Sequence, residues 1–249
     1  MAPDTGSDTT TTIIHKAGEL GASLAGIAAV AELRQSPSYS IYHKSPYYDG
    51  YKGVQWPAYA RSVLVLALAH SPSEPELDWW SDIPGRTRGN WQLMDIAKNL
   101  AAWLAGELAI DAYPLPYRLE QGGILLKDAA VLAGLGVIGK NNLLITPEFG
   151  PRVRLRGVFL DIDLQPSGPI EFDPCKGCDM PCRQACPRQA FRSGSYSRAL
   201  CDLQMDRDVT NSTLVENWVE NEPKSKVVKY CRACELACPV PWQKRVSSN

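Results

Sequence analysis

Cys175-Lys-Gly-Cys178-Asp-Met-Pro-Cys182-Arg-Gln-Ala-Cys186-Pro187 decides the reading of this chain, together with its echo, Cys231-Arg-Ala-Cys234-Glu-Leu-Ala-Cys238-Pro239. Cys201 stands between the two runs, and all eight cysteines lie at or beyond Cys175. Thiols packed this closely in a reducing compartment point to metal or redox chemistry rather than disulfides. Two runs that each close in Cys-Pro are the pattern of a two-cluster iron–sulfur protein, in which the Cys before Pro ligates the other cluster. The reason is geometric. A cubane needs four thiolates in a rough tetrahedron, a short loop supplies three, and the fourth arrives from elsewhere. That crossing assigns Cys175, Cys178, Cys182 and Cys238 to one [4Fe–4S] cluster. Cys186, Cys201, Cys231 and Cys234 go to the second.

The spacing departs from the bacterial pattern at one point. Three residues, Asp179-Met180-Pro181, separate Cys178 from Cys182 where two are usual. The extra residue either weakens the first site or reshapes its loop. Zinc is the competing reading, because four-cysteine zinc sites also use C-x2-C pairs. The paired Cys-Pro endings and the gap from Cys201 to Cys231 suit interleaved clusters better. Lys176, Arg183, Arg188 and Arg232 lie among the thiols. They read either as partial neutralisation of anionic clusters or as ordinary solvated surface.

Working outward, the chain has 249 residues and is 45% hydrophobic, enough for one large domain or two unequal ones. Its formal net charge of −1 gives no strong pull towards nucleic acid or an acidic membrane. From Cys175 onward there are twelve Lys/Arg and eight Asp/Glu, or +4, which leaves −5 for the rest. No segment approaches the ~20 apolar residues that span a bilayer. Residues 1–12 are polar and Thr-rich, with no basic region leading into an apolar run. They are expected to be a disordered tail on a cytoplasmic protein.

Ser23–Val30 and Ser62–Ala69 (SVLVLALA) read as strands, the second buried on both faces. Leu93, Ile96, Leu100, Trp103, Leu104 and Leu108 recur at helical spacing. Ile124–Ala133 predicts a further helix with Gly134 as its left-handed cap. Leu143–Thr146 and Val153–Leu164 are expected strands. Residues 36–59, rich in Tyr, are expected to form a long ordered loop. Composition changes over Gln165–Pro174, which places a domain boundary there and divides 13–168 from 169–249. The cysteine segment shows short helical signals and few strand signals.

Gly134-Leu-Gly136-Val-Ile-Gly139 matches G-x-G-x-x-G, but a dinucleotide fold needs that motif after a strand and before a helix. Here a helical pattern precedes it and a strand-like run follows. The glycines permit close backbone approach to a packed helix or to a flat ligand.

The block from Gly123 to Gly150, GILLKDAAVLAGLGVIGKNNLLITPEFG, resembles the corrinoid-domain core of epoxyqueuosine reductases, which are related to reductive dehalogenases. Lys16-Ala-Gly-Glu-Leu-Gly21, Arg61-Ser-Val-Leu-Val-Leu, Arg88-Gly89 before a long helix, and the cysteine layout are similar too. The resemblance implies an α/β (α+β) fold: a nitroreductase-like cobalamin-binding domain followed by a two-cluster ferredoxin-like module. Cobalamin in that family is base-off, and none of His15, His43 or His70 sits in a D-x-H-x-x-G motif. By the same resemblance Arg88, Leu135, Gly136, Gly139, Lys140, Asn141, Thr146, Pro147 and Phe149 are candidates to line the cofactor. The family's proton-donating aspartate corresponds to Glu120 on an ungapped count, and a one-residue shift would land on Gln121. Tyr113 and Tyr117 are further candidate proton donors. Trp56, Trp79, Trp80 and Trp91 are candidates to wall a flat cofactor or substrate, although core or surface packing is the better reading of each alone.

The implied function is a cobalamin-dependent iron–sulfur reductase, an oxidoreductase working anaerobically on a small-molecule substrate. An external ferredoxin- or flavodoxin-type donor would supply its electrons. The alternative is an electron carrier, or a corrinoid-handling protein serving a corrinoid partner, without substrate chemistry of its own. The helical-repeat extension that the family uses for tRNA does not follow the cysteine module, so tRNA is not an expected partner.

Overall fold

In the computed structural model the described residues are 5–39, 54–81, 87–219 and 222–240. Two compact units emerge, and their segments interleave along the chain. One comprises Met1–Ala69, Leu93–Val137 and Leu155–Phe172. The other comprises His70–Gln92, Ile138–Arg154 and Asp173–Asn249.

A four-stranded sheet organises the first unit. In chain order its strands are β1 (Leu24–Ala29), β2 (Ser62–Ala69), β4 (Ala112–Pro114) and β7 (Val153–Leu160), arranged β1-β2-β7-β4. β1 pairs antiparallel with β2, setting Leu24 opposite Ala67 and Ala29 opposite Ser62. β4 pairs antiparallel with β7, and Tyr113 faces Phe159. β2 is the unbroken apolar run, and its residues from Ser62 to Ala67 are all buried. Both faces of the sheet are covered, so alternation with polar residues would have buried unpaired groups.

Two helices supply one cover: α1 (Thr5–Glu19) and α3 (Arg88–Leu108). Ile13 and Ala17 of α1, with Leu93, Leu100 and Leu104 of α3, pack with Ile27, Leu64, Leu66, Val158 and Leu160 of the sheet. Each such leucine or isoleucine contributes roughly 1.5–3 kcal/mol by leaving water. Between the sheet and these helices in sequence lie the short α2 (Val30–Leu33) and, later, α4 (Leu126–Leu132). Thr5–Thr12 is therefore not the disordered tail expected from its polarity. It is the first half of α1, where Thr10 is 6% exposed and its hydroxyl donates to the Gln165 carbonyl at 3.0 Å. Threonine content masked a helix that tertiary contacts hold.

Tyr42, Tyr47, Tyr48, Tyr51 and His43 lie outside the described residues. The ends of that Tyr-rich stretch are described. Tyr39 is buried and its hydroxyl accepts from Leu125 N at 3.1 Å, while Trp56 packs 5.4 Å from Tyr39 and 6.1 Å from Phe159.

The second unit contains a three-stranded antiparallel sheet in the order β3-β9-β8, formed by β3 (Trp80–Ser81), β8 (Thr213–Val219) and β9 (Glu222–Val228). The scarcity of strand expected in the cysteine segment is thus corrected. Trp218, Ser225 and Val227 point inward while Leu214, Lys224 and Lys226 are exposed. This two-residue alternation was hidden by the lysines. A smaller hairpin joins β5 (Val137–Ile138) to β6 (Leu144–Ile145). Among the described residues the unit also holds the α-helices α5 (Pro181–Gln184), α6 (Arg198–Thr210) and α7 (Ala233–Leu236). Ser197 caps α6, its side chain accepting from Leu200 N. Among the described residues no helix is long and apolar enough to cross a membrane.

Candidate functional site

The eight thiols of the second unit fall into two neighbourhoods. Cys182 is raised by burial first and then by Cys238, Cys175 and Cys178. Cys238 is likewise raised by burial and by Cys175 and Cys178. Burial pushes Cys234 up to about 12, with Cys231, Cys201 and Cys186 adding to it. Cys231 is raised by burial, then by Asp208, Cys186 and Cys201. The first set is therefore Cys175, Cys178, Cys182 and Cys238, and the second is Cys186, Cys201, Cys231 and Cys234. All eight are free thiols, Cys182 and Cys238 buried and Cys231 exposed. Among the described residues no three His, Cys, Asp or Glu side chains are gathered so as to hold a single metal ion.

Local backbone explains how each set is assembled. The extra residue between Cys178 and Cys182 is absorbed in a left-handed turn: Met180 has φ +54°, and Pro181 then opens α5 at a position that needs no N–H donor. The turn also aims Met180 N at Cys178 Sγ, 3.4 Å away. Lys140 N donates to Cys175 Sγ at 3.4 Å, and Ala190 N to Cys186 Sγ at 3.3 Å. Helix α6 carries Cys201 and, two turns on, Asp208. Asp208 Oδ2 accepts from Cys231 N at 2.7 Å, and its Oδ1 from Gln204 Nε2 at 2.8 Å. Tyr196 donates its hydroxyl to Cys201, and burial together with that contact raises the phenol well above its ordinary value.

Arg232, between Cys231 and Cys234, is held by a buried charge cluster. Its Nη1 lies 2.7 Å from Asp78 Oδ2, and its Nε and Nη2 grip the Glu235 carboxylate at 3.1 and 2.5 Å. Nη2 also lies 2.8 Å from His70 Nδ1. Asp78 further meets His70 Nδ1 at 2.5 Å and pairs with Arg154. Its Oδ2 contacts have ion-pair distances without hydrogen-bond angles. Burial would raise the Asp78 carboxyl, but His70, Arg154 and Arg232 outweigh it and hold it below the usual range. Sequence reasoning missed this cluster, because His70 just follows β2 and Asp78 closes the one-turn helix Pro75–Asp78, neither carrying a periodic signal. Asp208 was findable: seven residues after Cys201, it lies on the same helical face.

The glycine block takes the helix-then-strand order read from the sequence, from α4 into β5. Gly134 has φ +72°, and a Cβ there would meet the Ser167 carbonyl at 2.7 Å, so its smallness serves packing of the chain on itself. A Cβ on Gly139 would strike the Ile145 side chain at 2.2 Å. Leu135 and Gly136 belong to the first unit, and Gly139 onward to the second. Asn141 is 2% exposed. Its Nδ2 donates to the Cys234 carbonyl at 3.4 Å, and its Oδ1 accepts from Leu143 N at 3.2 Å. Thr146 is fully buried, its hydroxyl bonded to Gly150 O and Phe149 N, and Phe149 is buried too. Lys140 is exposed and Pro147 half-buried. Arg88 stacks 4.2 Å over Trp218 and donates to its carbonyl at 3.2 Å.

The proton-donor candidates lie in the first unit. Tyr113 is 38% exposed on β4, its ring 4.2 Å from Tyr59. Tyr117 is 46% exposed and lies near Arg156, a buried guanidinium that donates to Leu115 O at 2.9 Å. Glu120 has its backbone in the one-turn helix Leu119–Gln121, and its side chain lies outside what is described. Of the tryptophans, Trp79 stacks on Trp218 at 5.4 Å and Trp80 meets Tyr230 edge-on at 6.0 Å. Together with Trp56 they serve as packing partners. His15 pairs with Glu19 at the surface of α1.

No family model matches the chain. Among curated proteins, it is 38% identical over 177 residues to a tetrachloroethene reductive dehalogenase of Dehalobacter restrictus, covering 66% of this chain and 30% of that protein. It is 33% identical over 193 residues to an epoxyqueuosine reductase of Bacillus cereus, covering 72% of this chain and 48% of that protein. The chain thus spans less than half the length of these relatives. Its fold matches that of Streptococcus thermophilus epoxyqueuosine reductase, with a TM-score of 0.63 at 18% identity over 97% of this chain and 69% of that one. It also matches a catabolic reductive dehalogenase solved with 3-bromo-4-hydroxybenzoic acid, with a TM-score of 0.53 at 20% identity over 74% of this chain and 26% of that one. The homologues and fold neighbours of this chain are epoxyqueuosine reductases and reductive dehalogenases, the grouping its glycine block and cysteine layout resemble.

Proposed function

We propose that this chain is a cobalamin-dependent iron–sulfur reductase. The observation that carries the reading is the crossing of the two cysteine runs, in which Cys238 joins Cys175, Cys178 and Cys182 while Cys186 joins Cys201, Cys231 and Cys234. Each set is all-thiol, with backbone N–H groups directed at sulfur. That donor chemistry fits a [4Fe–4S] cluster, which supplies one-electron transfer when bound.

A corrinoid fits the glycine block less directly. Asn141, Thr146, Phe149, Leu135 and Gly136 are buried, so within the second unit Arg88, Gly139, Lys140 and Pro147 are the candidates left to contact a ligand. Support for cobalamin comes from the fold neighbours, one of which is a reductive dehalogenase described with a B12-dependent mechanism. The base-off form is consistent with His70, whose Nδ1 is committed to Asp78 and Arg232, and with His15, paired to Glu19. Bound cobalamin would supply a strongly reducing cobalt centre. The chain's own part is to hold the thiol sets and to offer a proton, for which Glu120, Tyr113 and Tyr117 remain the candidates. The proposed substrate is a small molecule, and the proposed donor an external ferredoxin- or flavodoxin-type carrier.

Anaerobic reconstitution followed by iron analysis and visible spectroscopy tests the first half. About eight iron per chain is expected from two four-iron sites, with absorption near ~400 nm. Titration with cobalamin under reducing conditions tests the second. A protein that takes up iron yet leaves the corrinoid spectrum unchanged would retain the cluster reading and lose the reductase.

A further inference from the structure

We propose that the two thiol sets are held at different reduction potentials by opposite charges. Arg152 makes the Cys175/Cys178/Cys182/Cys238 set the more readily reduced, and Asp208 makes the Cys186/Cys201/Cys231/Cys234 set the harder to reduce. The inference rests on the cluster reading above and adds an order to it.

Cluster potential responds to net charge, to hydrogen bonds on sulfur and to solvent. Hydrogen bonds nearly match. In the first set backbone N–H donors reach Cys175, Cys178, Cys182 and Cys238, from Lys140, Met180, Arg183 and Val240. In the second they reach Cys186 and Cys231, from Ala190 and Ala233, and the Tyr196 hydroxyl serves Cys201.

Charge does not match. Arg152 is 5% exposed, donates through Nη2 to Val240 O at 2.6 Å, and acts on Cys238 two residues away. A guanidinium there stabilises the extra electron of a reduced cluster. Beside the second set, Asp208 accepts directly from Cys231 N at 2.7 Å. The other groups at that set nearly cancel: Arg232 and Arg154 face Glu235 and Asp78. Arg188 stands one residue farther out, its Nε donating to Gln204 Oε1 at 3.1 Å while Gln204 Nε2 donates to Asp208 Oδ1. Asp208 is the charge bonded directly to the backbone of a second-set thiol, and it opposes reduction. Water at the exposed Cys231 works the other way. However, a full charge one hydrogen bond from a ligand's backbone outweighs partial solvation of a single thiolate.

The order gives electrons a direction. A one-electron carrier protein, oxidised as it delivers, would reduce the second set on the side where Cys231 is exposed. The same electron then moves downhill to the first set, with no bond made or broken.

Potentiometric titration of the anaerobically reconstituted chain, followed by low-temperature electron paramagnetic resonance, reads this directly. Two waves are expected. Asp208→Asn should move only the lower wave upward, and Asp208→Glu should leave it in place. Arg152→Gln should move only the upper wave downward, and Arg152→Lys should restore it. Asp208 is half-buried on a helix, so its variants remain informative if Arg152→Gln fails to fold. Movement of the upper wave by Asp208→Asn, or of neither, overturns the order while leaving the reductase reading intact. A chain that takes up no iron overturns both.

Discussion

Cys238 sits among the thiols of the other run: Cys175 and Cys178 act on it, whereas Cys234, four residues before it, answers to Cys201 and Cys186. The two runs are therefore knotted together rather than folded side by side. Cys238→Ser should empty the site that holds Cys175, Cys178 and Cys182, lowering iron from about eight to about four per chain. Cys186→Ser should empty the other. A double variant of Cys238 and Cys186 should lose both clusters, whereas Cys238 with Cys182 should lose one. Iron analysis of the four proteins distinguishes crossed ligation from run-by-run ligation.

Asp78 anchors Arg154 and Arg232 out of water. Asp78→Asn leaves the Arg154 guanidinium without its carboxylate and Arg232 with Glu235 alone, which should cost about 3–5 kcal/mol in denaturant unfolding. The pH dependence has a definite sign. The folded carboxyl is held below its ordinary value, so the unfolded chain binds the proton more tightly. The stabilisation is present above the ordinary aspartate pKa of about 3.9 and disappears as pH falls through the depressed folded value. Acid unfolding of the wild type should show that loss, and Asp78→Asn should not.

Cys234 should be the slow thiol of the iron-free protein. Burial and the neighbouring Cys231, Cys201 and Cys186 hold it up to about 12, so at neutral pH almost none is thiolate. Timed iodoacetamide labelling with mass spectrometry should find Cys234 modified last in its set, and denaturation should abolish the lag. The iron-free chain should also lose stability as pH rises from about 9 towards 12, because the folded state holds that proton more tightly than the unfolded one.

Met180 occupies the left-handed region with a full side chain, φ +54°. That conformation costs a non-glycine residue roughly 1–2 kcal/mol. Met180→Gly should therefore stabilise the iron-free second unit by up to about 1 kcal/mol in denaturant unfolding, after allowance for the greater freedom of glycine in the unfolded chain. Met180→Val, β-branched, should destabilise the unit and slow iron uptake.

Periodicity made the first unit legible. The apolar run of β2 is buried from Ser62 to Ala67, and Leu93, Leu100 and Leu104 line one face of α3 because their spacing follows the helical turn. The same reasoning failed where polar side chains hide structure. Thr5–Thr12 is helical, and the Lys-rich stretch Glu222–Val228 is a strand. Neither has the apolar content on which pattern reading depends.

What the sequence alone determined is the chemistry: eight thiols in two Cys-Pro runs, with one extra residue before Cys182, already imply interlocked four-thiol sets. Short-range spacing encodes that, since ligand loops are local. What only the tertiary structure decided is the electrostatic setting of those sets. Asp78 and His70 reach Arg232 across more than half the chain, and Arg152 comes to Cys238 from a segment well before the first cysteine. Charges separated so far in sequence meet only when the backbone folds, and no local pattern records which of them will share a buried neighbourhood.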